Sequence, residues 1–141
     1  MTDATDATDA PDAAGVTGFV MPATVRGAQL VVHAFAFTGL VVVLTLSETL
    51  NSRGLGQLMA PWLLVWVCAL LALTYDGSAR HGVRLATCLL LGFVVAGSLG
   101  AVARADEPAA FLDAALRVLF GLPAIVLLSL PESTDWFRRA R

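Results

Sequence analysis

Lysine is missing from this chain, and charge of either sign is scarce. All nine basic residues are arginines, and charged residues make up only 14% of the 141 residues, whereas a soluble domain carries about a quarter. No long basic tract occurs, which argues against a nucleic-acid partner. The arginine-only pattern, together with abundant alanine, is typical of proteins from high-GC bacterial genomes.

The motifs from which enzymes build their sites are missing as well. The sequence has no phosphate-binding glycine loop, no HExxH motif, no paired intramembrane carboxylates and no nucleophile beside a base. Its two cysteines, Cys68 and Cys88, form no CxxC motif, and both fall inside apolar runs. We therefore predict a non-enzymatic protein without a cofactor or a metal.

Four long apolar runs dominate what the sequence does contain. A helix rises about 1.5 Å per residue, so about twenty apolar residues cross the hydrocarbon core of a bilayer. The predicted spans are residues 26–48, 58–75, 82–103 and 108–130. Because the connecting segments are short, successive spans must run antiparallel. The sequence predicts an all-α, membrane-embedded antiparallel four-helix bundle over residues 24–131.

The two ends of the chain differ in charge. Residues 1–23 begin with a Thr-Asp-Ala repeat, and such an acidic, apolar-poor leader is predicted to be a disordered tail. The first apolar run is too long for a cleavable signal peptide and has no basic start, so we expect it to be retained as the first span. Residues 132–141 are predicted to be a short tail that places Trp136 and Phe137 among the headgroups.

Arginine counts predict the orientation. Six arginines lie on the side of the membrane that carries both termini, against two in the loops of the opposite side. The positive-inside rule therefore places both termini in the cytoplasm of a bacterial inner membrane. Trp62 and Tyr75 lie near the two ends of the second span, where aromatic belts are expected.

Asp113 and Arg117 form the most unusual pair in the chain. They lie four residues apart in the fourth span with the acid first, which is the favourable order for a helical ion pair. The same face continues with small or apolar residues, namely Gly121, Ala124 and Leu128. We expect this face to meet the bundle. It is either a polar site that binds an anionic group or relays protons, or a structural bridge with Thr45 or Glu48 nearby.

His33, in the first span, is a second candidate for a polar intramembrane site. A membrane histidine can titrate or bind haem or a metal. The only other histidine, His81, lies in the predicted loop between spans two and three. A neutral packing histidine is the commoner arrangement, and a haem or redox protein that uses His33 or the cysteines is the weakest alternative.

The third span carries a stripe of small residues, Gly92-x-x-x-Ala96-x-x-x-Gly100. Small residues at this spacing let a second helix approach closely, and Gly121 offers the same property in span four. The partner of the stripe is either another span of this chain, which is the default expectation, or a helix of another subunit.

The segment from Leu127 to Arg138, Leu-Leu-Ser-Leu-Pro-Glu-Ser-Thr-Asp-Trp-Phe-Arg, resembles the ending of small four-span membrane proteins of actinobacteria. That resemblance implies architecture and location but no activity. Small multidrug transporters share the four spans, yet their first span carries an embedded glutamate, whereas the first acid of span one here is Glu48 at its end. We predict an accessory or helix-packing subunit in contact with the bilayer and with a membrane-protein partner or a second copy. The alternative is a small oligomeric transporter or channel.

Overall fold

The computed structural model describes residues 20–48, 52–75, 81–104 and 107–139. The described residues form five α-helices and no strand, which confirms the all-α class. The helices are α1 (Ala23–Ser47), α2 (Ser52–Ala72, continued by a 3₁₀ turn at Leu73–Tyr75), α3 (His81–Val102), α4 (Pro108–Ser129) and α5 (Pro131–Arg139). Residues 1–19 of the predicted acidic tail lie outside the described part.

Four of these helices are long and apolar enough to cross a membrane, with mean hydropathies of 2.0 to 2.2. Large apolar side chains are exposed on every one of them, including Phe37 on α1, Leu70 on α2, Phe93 on α3 and Leu119 on α4. A bundle that is apolar both inside and outside suits a lipid environment. The architecture is therefore that of a multi-pass membrane protein. The predicted spans match these helices, although α2 begins at Ser52 rather than at residue 58.

The four long helices pack in a ring. The packed pairs are α1 with α2, α2 with α3, α3 with α4, and α4 with α1. Consequently α1 faces α3 across one diagonal, and α2 faces α4 across the other. Contacts between α1 and α4 follow an antiparallel register: Gly27 lies by Leu127, and Phe35 stacks on Phe120.

Helices α1 and α2 approach each other closely at Gly39 of α1. The Trp62 indole of α2 lies directly over this glycine, and a Cβ at Gly39 would overlap the ring. One turn away on each helix, the Trp66 Nε1–H donates to the Ala36 carbonyl at 3.0 Å. Trp62 is thus fully buried in the bundle, and its predicted position in an aromatic belt is wrong. The belt assignment failed because α2 starts earlier than expected, which places Trp62 about 15 Å into the helix.

The predicted C-terminal tail is a helix that docks on the bundle. Phe137 is only 1% exposed and packs edge-to-face on Tyr75, with ring centroids 5.1 Å apart. The Trp136 Nε1–H donates to the Tyr75 carbonyl at 3.2 Å, and the Ser133 hydroxyl donates to the Leu127 carbonyl at 2.8 Å. The expectation that Trp136 and Phe137 both reach the headgroups is therefore wrong for Phe137. Its ring completes the end of the core instead.

The start of α1 belongs to the same enclosed end. Met21 precedes the helix and is buried in the core, so the prediction that it belongs to a disordered tail over residues 1–23 is wrong for this residue. The Ser133 hydroxyl of α5 also lies 3.2 Å from the Thr24 hydroxyl, within hydrogen-bond distance. Helix α5 therefore contacts α1, α3 and α4 and closes the end of the bundle that carries both termini.

Replacing Gly39 by alanine tests the close approach of α1 and α2. The added methyl group must displace the Trp62 ring, so we expect Gly39→Ala to lower the free energy of unfolding by about 1–3 kcal/mol. Gly97→Ala is the matched control, because a Cβ at Gly97 meets nothing within 4 Å. Thermal unfolding of both variants in detergent micelles measures the difference. Equal melting temperatures for the two variants would contradict the close packing of Trp62 on Gly39.

Candidate functional site

The face of α4 that carries Asp113 and Arg117 points into the bundle. Asp113 is 6% exposed and Arg117 is 8% exposed. The buried residues of α4 are Asp113, Ala114, Arg117, Gly121, Ala124 and Leu128. This is the orientation that the spacing predicted. Arg117 lies about 13 Å along α4 from the first residue of the helix, well inside the apolar span.

Asp113, Arg117 and Trp62 form one contact group, which we call the charged cluster. Arg117 Nη2 and Asp113 Oδ2 form an ion pair within α4. The Trp62 Nε1–H donates to Asp113 Oδ1 at 3.0 Å. The Arg117 guanidinium carbon lies 5.4 Å from the centroid of the Trp62 ring, a cation–π distance. Trp62 therefore contacts both charges of α4 from the diagonally opposite helix.

Aromatic packing holds the Trp62 ring in place. Phe35 of α1 meets it edge-on, with centroids 5.3 Å apart and an angle of 73° between the planes. Phe35 in turn stacks on Phe120 of α4, with centroids 5.7 Å apart. The indole also packs directly on Gly39 of α1. Contacts with α1 and with the charged groups of α4 thus fix the position of this α2 side chain.

The charged cluster is largely self-contained. A buried ion pair costs desolvation energy unless its polar atoms find partners. Each carboxylate oxygen of Asp113 accepts one bond, from Trp62 Nε1 and from Arg117 Nη2 respectively. Arg117 Nε is enclosed without a hydrogen-bond partner among the described residues, but its cation faces the indole. The arrangement neutralises both charges within the bundle.

One edge of the charged cluster borders an open groove between α1 and α4. The groove has a volume of about 200 Å³. Its lining residues are Val41, Val42, Thr45 and Leu46 of α1 with Ala109, Leu112, Asp113 and Leu116 of α4. Thr45 was expected near the pair and does share this groove, but its hydroxyl donates to the Val41 carbonyl at 2.8 Å. Asp113 is the only ionisable residue in the lining.

His33 does not join the charged cluster. Its Nδ1 lies 2.7 Å from the Gln29 carbonyl, one turn earlier in α1, so this nitrogen carries the proton and donates. The Gln29 amide in turn donates to the Ala72 carbonyl of α2 at 3.1 Å. Since Thr45 is level with Asp113, His33 lies about 18 Å from that level along α1. The predicted polar site is therefore divided into two separate features, the Asp113–Arg117 pair and His33.

The small residues of α3 and α4 have different environments. A Cβ at Gly121 would lie 2.5 Å from Val95 Cγ2, so Gly121 does permit close packing between α4 and α3. In contrast, a Cβ at Gly92 meets nothing within 4 Å, and Ala96 is exposed. At Gly100 the nearest atom is Nη2 of Arg104 in the following turn. The default expectation that the stripe packs within the chain is wrong for Gly92 and Ala96, because α3 turns this face outward.

The two cysteines lie in α2 and α3 and form no disulfide. Cys68 is buried, Cys88 is half-buried, and both are free thiols. Among the residues described, no group of three or more histidine, cysteine, aspartate or glutamate side chains could hold a metal ion.

Trp62 is the site residue that sequence reasoning missed. The signal was chemical: a buried indole N–H requires an acceptor, and Asp113 is the only acid in the interior of the four predicted spans. Spacing along the chain does not reveal the match, because the two residues lie on different helices. No family model, curated protein or solved structure matches this chain.

Removing the two charges singly and together tests the charged cluster. We expect Arg117→Leu to lower the free energy of unfolding by about 3–5 kcal/mol, because Asp113 then remains as an uncompensated buried charge. The double variant Asp113→Leu/Arg117→Leu should be more stable than Arg117→Leu, since it leaves no buried charge. Denaturant titration in micelles of Arg117→Leu, Asp113→Leu and the double variant measures this order and the additivity of the losses. Additive losses would show that the two side chains act independently.

Proposed function

We propose that this chain is a non-enzymatic protein of a bacterial inner membrane, with both termini in the cytoplasm, that acts through helix contacts as an accessory or helix-packing subunit. The observation that carries the proposal is the outward small-residue face of α3. Gly92 has open space beyond its backbone, and Ala96 is exposed. Small residues at this spacing allow a foreign helix to approach closely in lipid.

An apolar groove lies between the outer surfaces of α3 and α4. Its volume is about 450 Å³, and its lining residues are Leu99, Val102, Ala115, Val118, Leu119, Leu122 and Pro123. Leu99 follows Ala96 by three residues, so on the helix surface it is a neighbour of the small-residue face. A docking helix could thus use the flat face of α3 and the groove together.

The charged cluster supports the same proposal from inside the bundle. Its ion pair and the Trp62 N–H use one another as partners. Such a pair fixes the rotation of α4 relative to α2, which is the structural interpretation of Asp113 and Arg117. Because these polar groups bind one another inside the bundle, its outer surface is what remains available for a partner.

Adding bulk to the α3 face tests the proposal. We expect Ala96→Leu to abolish co-purification of a stoichiometric partner, or of a second tagged copy, from native membranes in mild detergent. The added side chain keeps a partner helix at a distance but meets an exposed position in this chain, so yield and melting temperature should not change.

Ala34→Leu is the matched control. Ala34 is exposed on α1, and the substitution adds the same volume on a different helix. The complex should survive this change. Equal loss of the partner in both variants, or a complex unaffected by Ala96→Leu, would argue against the α3 face as the contact.

A small oligomeric transporter or channel is the second candidate, and one observation favours it: the groove between α1 and α4 reaches the Asp113 carboxyl. A carboxylate at the edge of an open groove could relay protons. If it does, proteoliposomes that contain a pH-sensitive dye should show proton flux with the wild type and a slower flux with Arg117→Leu. No flux above that of empty liposomes, or a substitution that only lowers yield, would favour the structural role.

A further inference from the structure

An arginine at the end of the bundle that carries both termini lacks an acidic partner. Arg84 lies in the first turn of α3, where its Nη1 donates to the Thr134 hydroxyl of α5. Its Nε atom is enclosed and has no hydrogen-bond partner in the described part of the chain. Across the described residues the one ion pair is that between Arg117 and Asp113. Among the described residues, no carboxylate therefore compensates the charge of Arg84.

A second arginine lies one turn beyond Thr134 in α5. Arg138 follows Thr134 by one turn of α5 and is exposed, so the two residues share a face of the helix. The acids of α5, Glu132 and Asp135, are exposed and form no ion pair with either arginine. One guanidinium group thus donates to the Thr134 hydroxyl, a second lies one turn further along the same face of α5, and the Nε–H of Arg84 has no partner among the described residues.

We propose that Arg84 and Arg138, on either helix beside Thr134, bind a phosphate group, with an anionic phospholipid headgroup as its source. Guanidinium groups match the geometry of phosphate oxygens, and they bind them with charge-assisted hydrogen bonds. The position of these residues relative to the membrane favours a lipid headgroup over a soluble anion. Helix α3 begins at His81 and α4 ends at Ser129, so Arg84 and Thr134 lie where the apolar helices end and headgroups begin. Basic sites at this level between helices are suited to anionic lipid headgroups.

The test measures the melting temperature of the full chain in a neutral detergent. Short-chain phosphatidylglycerol should raise the melting temperature with a saturable dependence on its concentration, whereas short-chain phosphatidylcholine should not. Inorganic phosphate forms the third arm and distinguishes a soluble anion from a lipid. A shift of the same size with phosphate alone, without a further shift from the lipid, would keep the phosphate site but overturn the lipid as its source.

Variants locate the site. We expect Arg138→Gln and Arg84→Gln each to weaken the binding of phosphatidylglycerol about tenfold, as loss of a charge-assisted hydrogen bond implies. Arg26→Gln removes the same charge at the same end of the bundle, from an exposed position on α1, which is diagonal to α3. Its binding should equal that of the wild type. If Arg84→Gln does not fold, Arg138→Gln carries the test because its side chain is exposed. Equal losses in Arg26→Gln and Arg138→Gln, or an equal shift with phosphatidylcholine, would overturn the site.

Discussion

The indole of Trp62 reaches across the bundle to the two charges of α4, and the packing of three helices depends on that contact. An ion pair in an apolar bundle is stable only when its polar atoms have partners. Trp62 supplies a hydrogen-bond donor to Asp113 and an aromatic face to Arg117. Its own position requires the bare backbone of Gly39. The rotations of α1, α2 and α4 are thereby coupled through one side chain.

The end of the bundle that carries both termini is held together by different interactions. There the Tyr75 and Phe137 rings pack edge-to-face, and side chains of α5 donate hydrogen bonds to backbone carbonyls at the ends of the other helices. Carbonyls at a helix end have no partner within the helix, so these bonds satisfy groups that would otherwise need water. Helix α5 therefore acts as a cap on the core rather than as a tail.

The distribution of polar groups suggests where this molecule meets others. Inside the bundle the charged groups are occupied with one another. On the outside, the small-residue face of α3 is the proposed contact for another helix. The guanidinium groups of Arg84 and Arg138 are the proposed site for an anion. Both lie on surfaces that a bilayer or a membrane partner can reach.

Hydropathy and local spacing by themselves determined the four helices, the all-α class and the inward orientation of Asp113 and Arg117. These features are local: a span needs only about twenty apolar residues, and an ion pair within a helix needs only the four-residue spacing. The tertiary structure alone decided that Trp62 bridges the pair, that Phe137 enters the core, and that Gly92 and Ala96 face outward. The physical reason is that lipid and protein core are equally apolar. Hydrophobicity therefore marks which residues lie in the membrane, but only the packing of one helix on another decides which of them face inward.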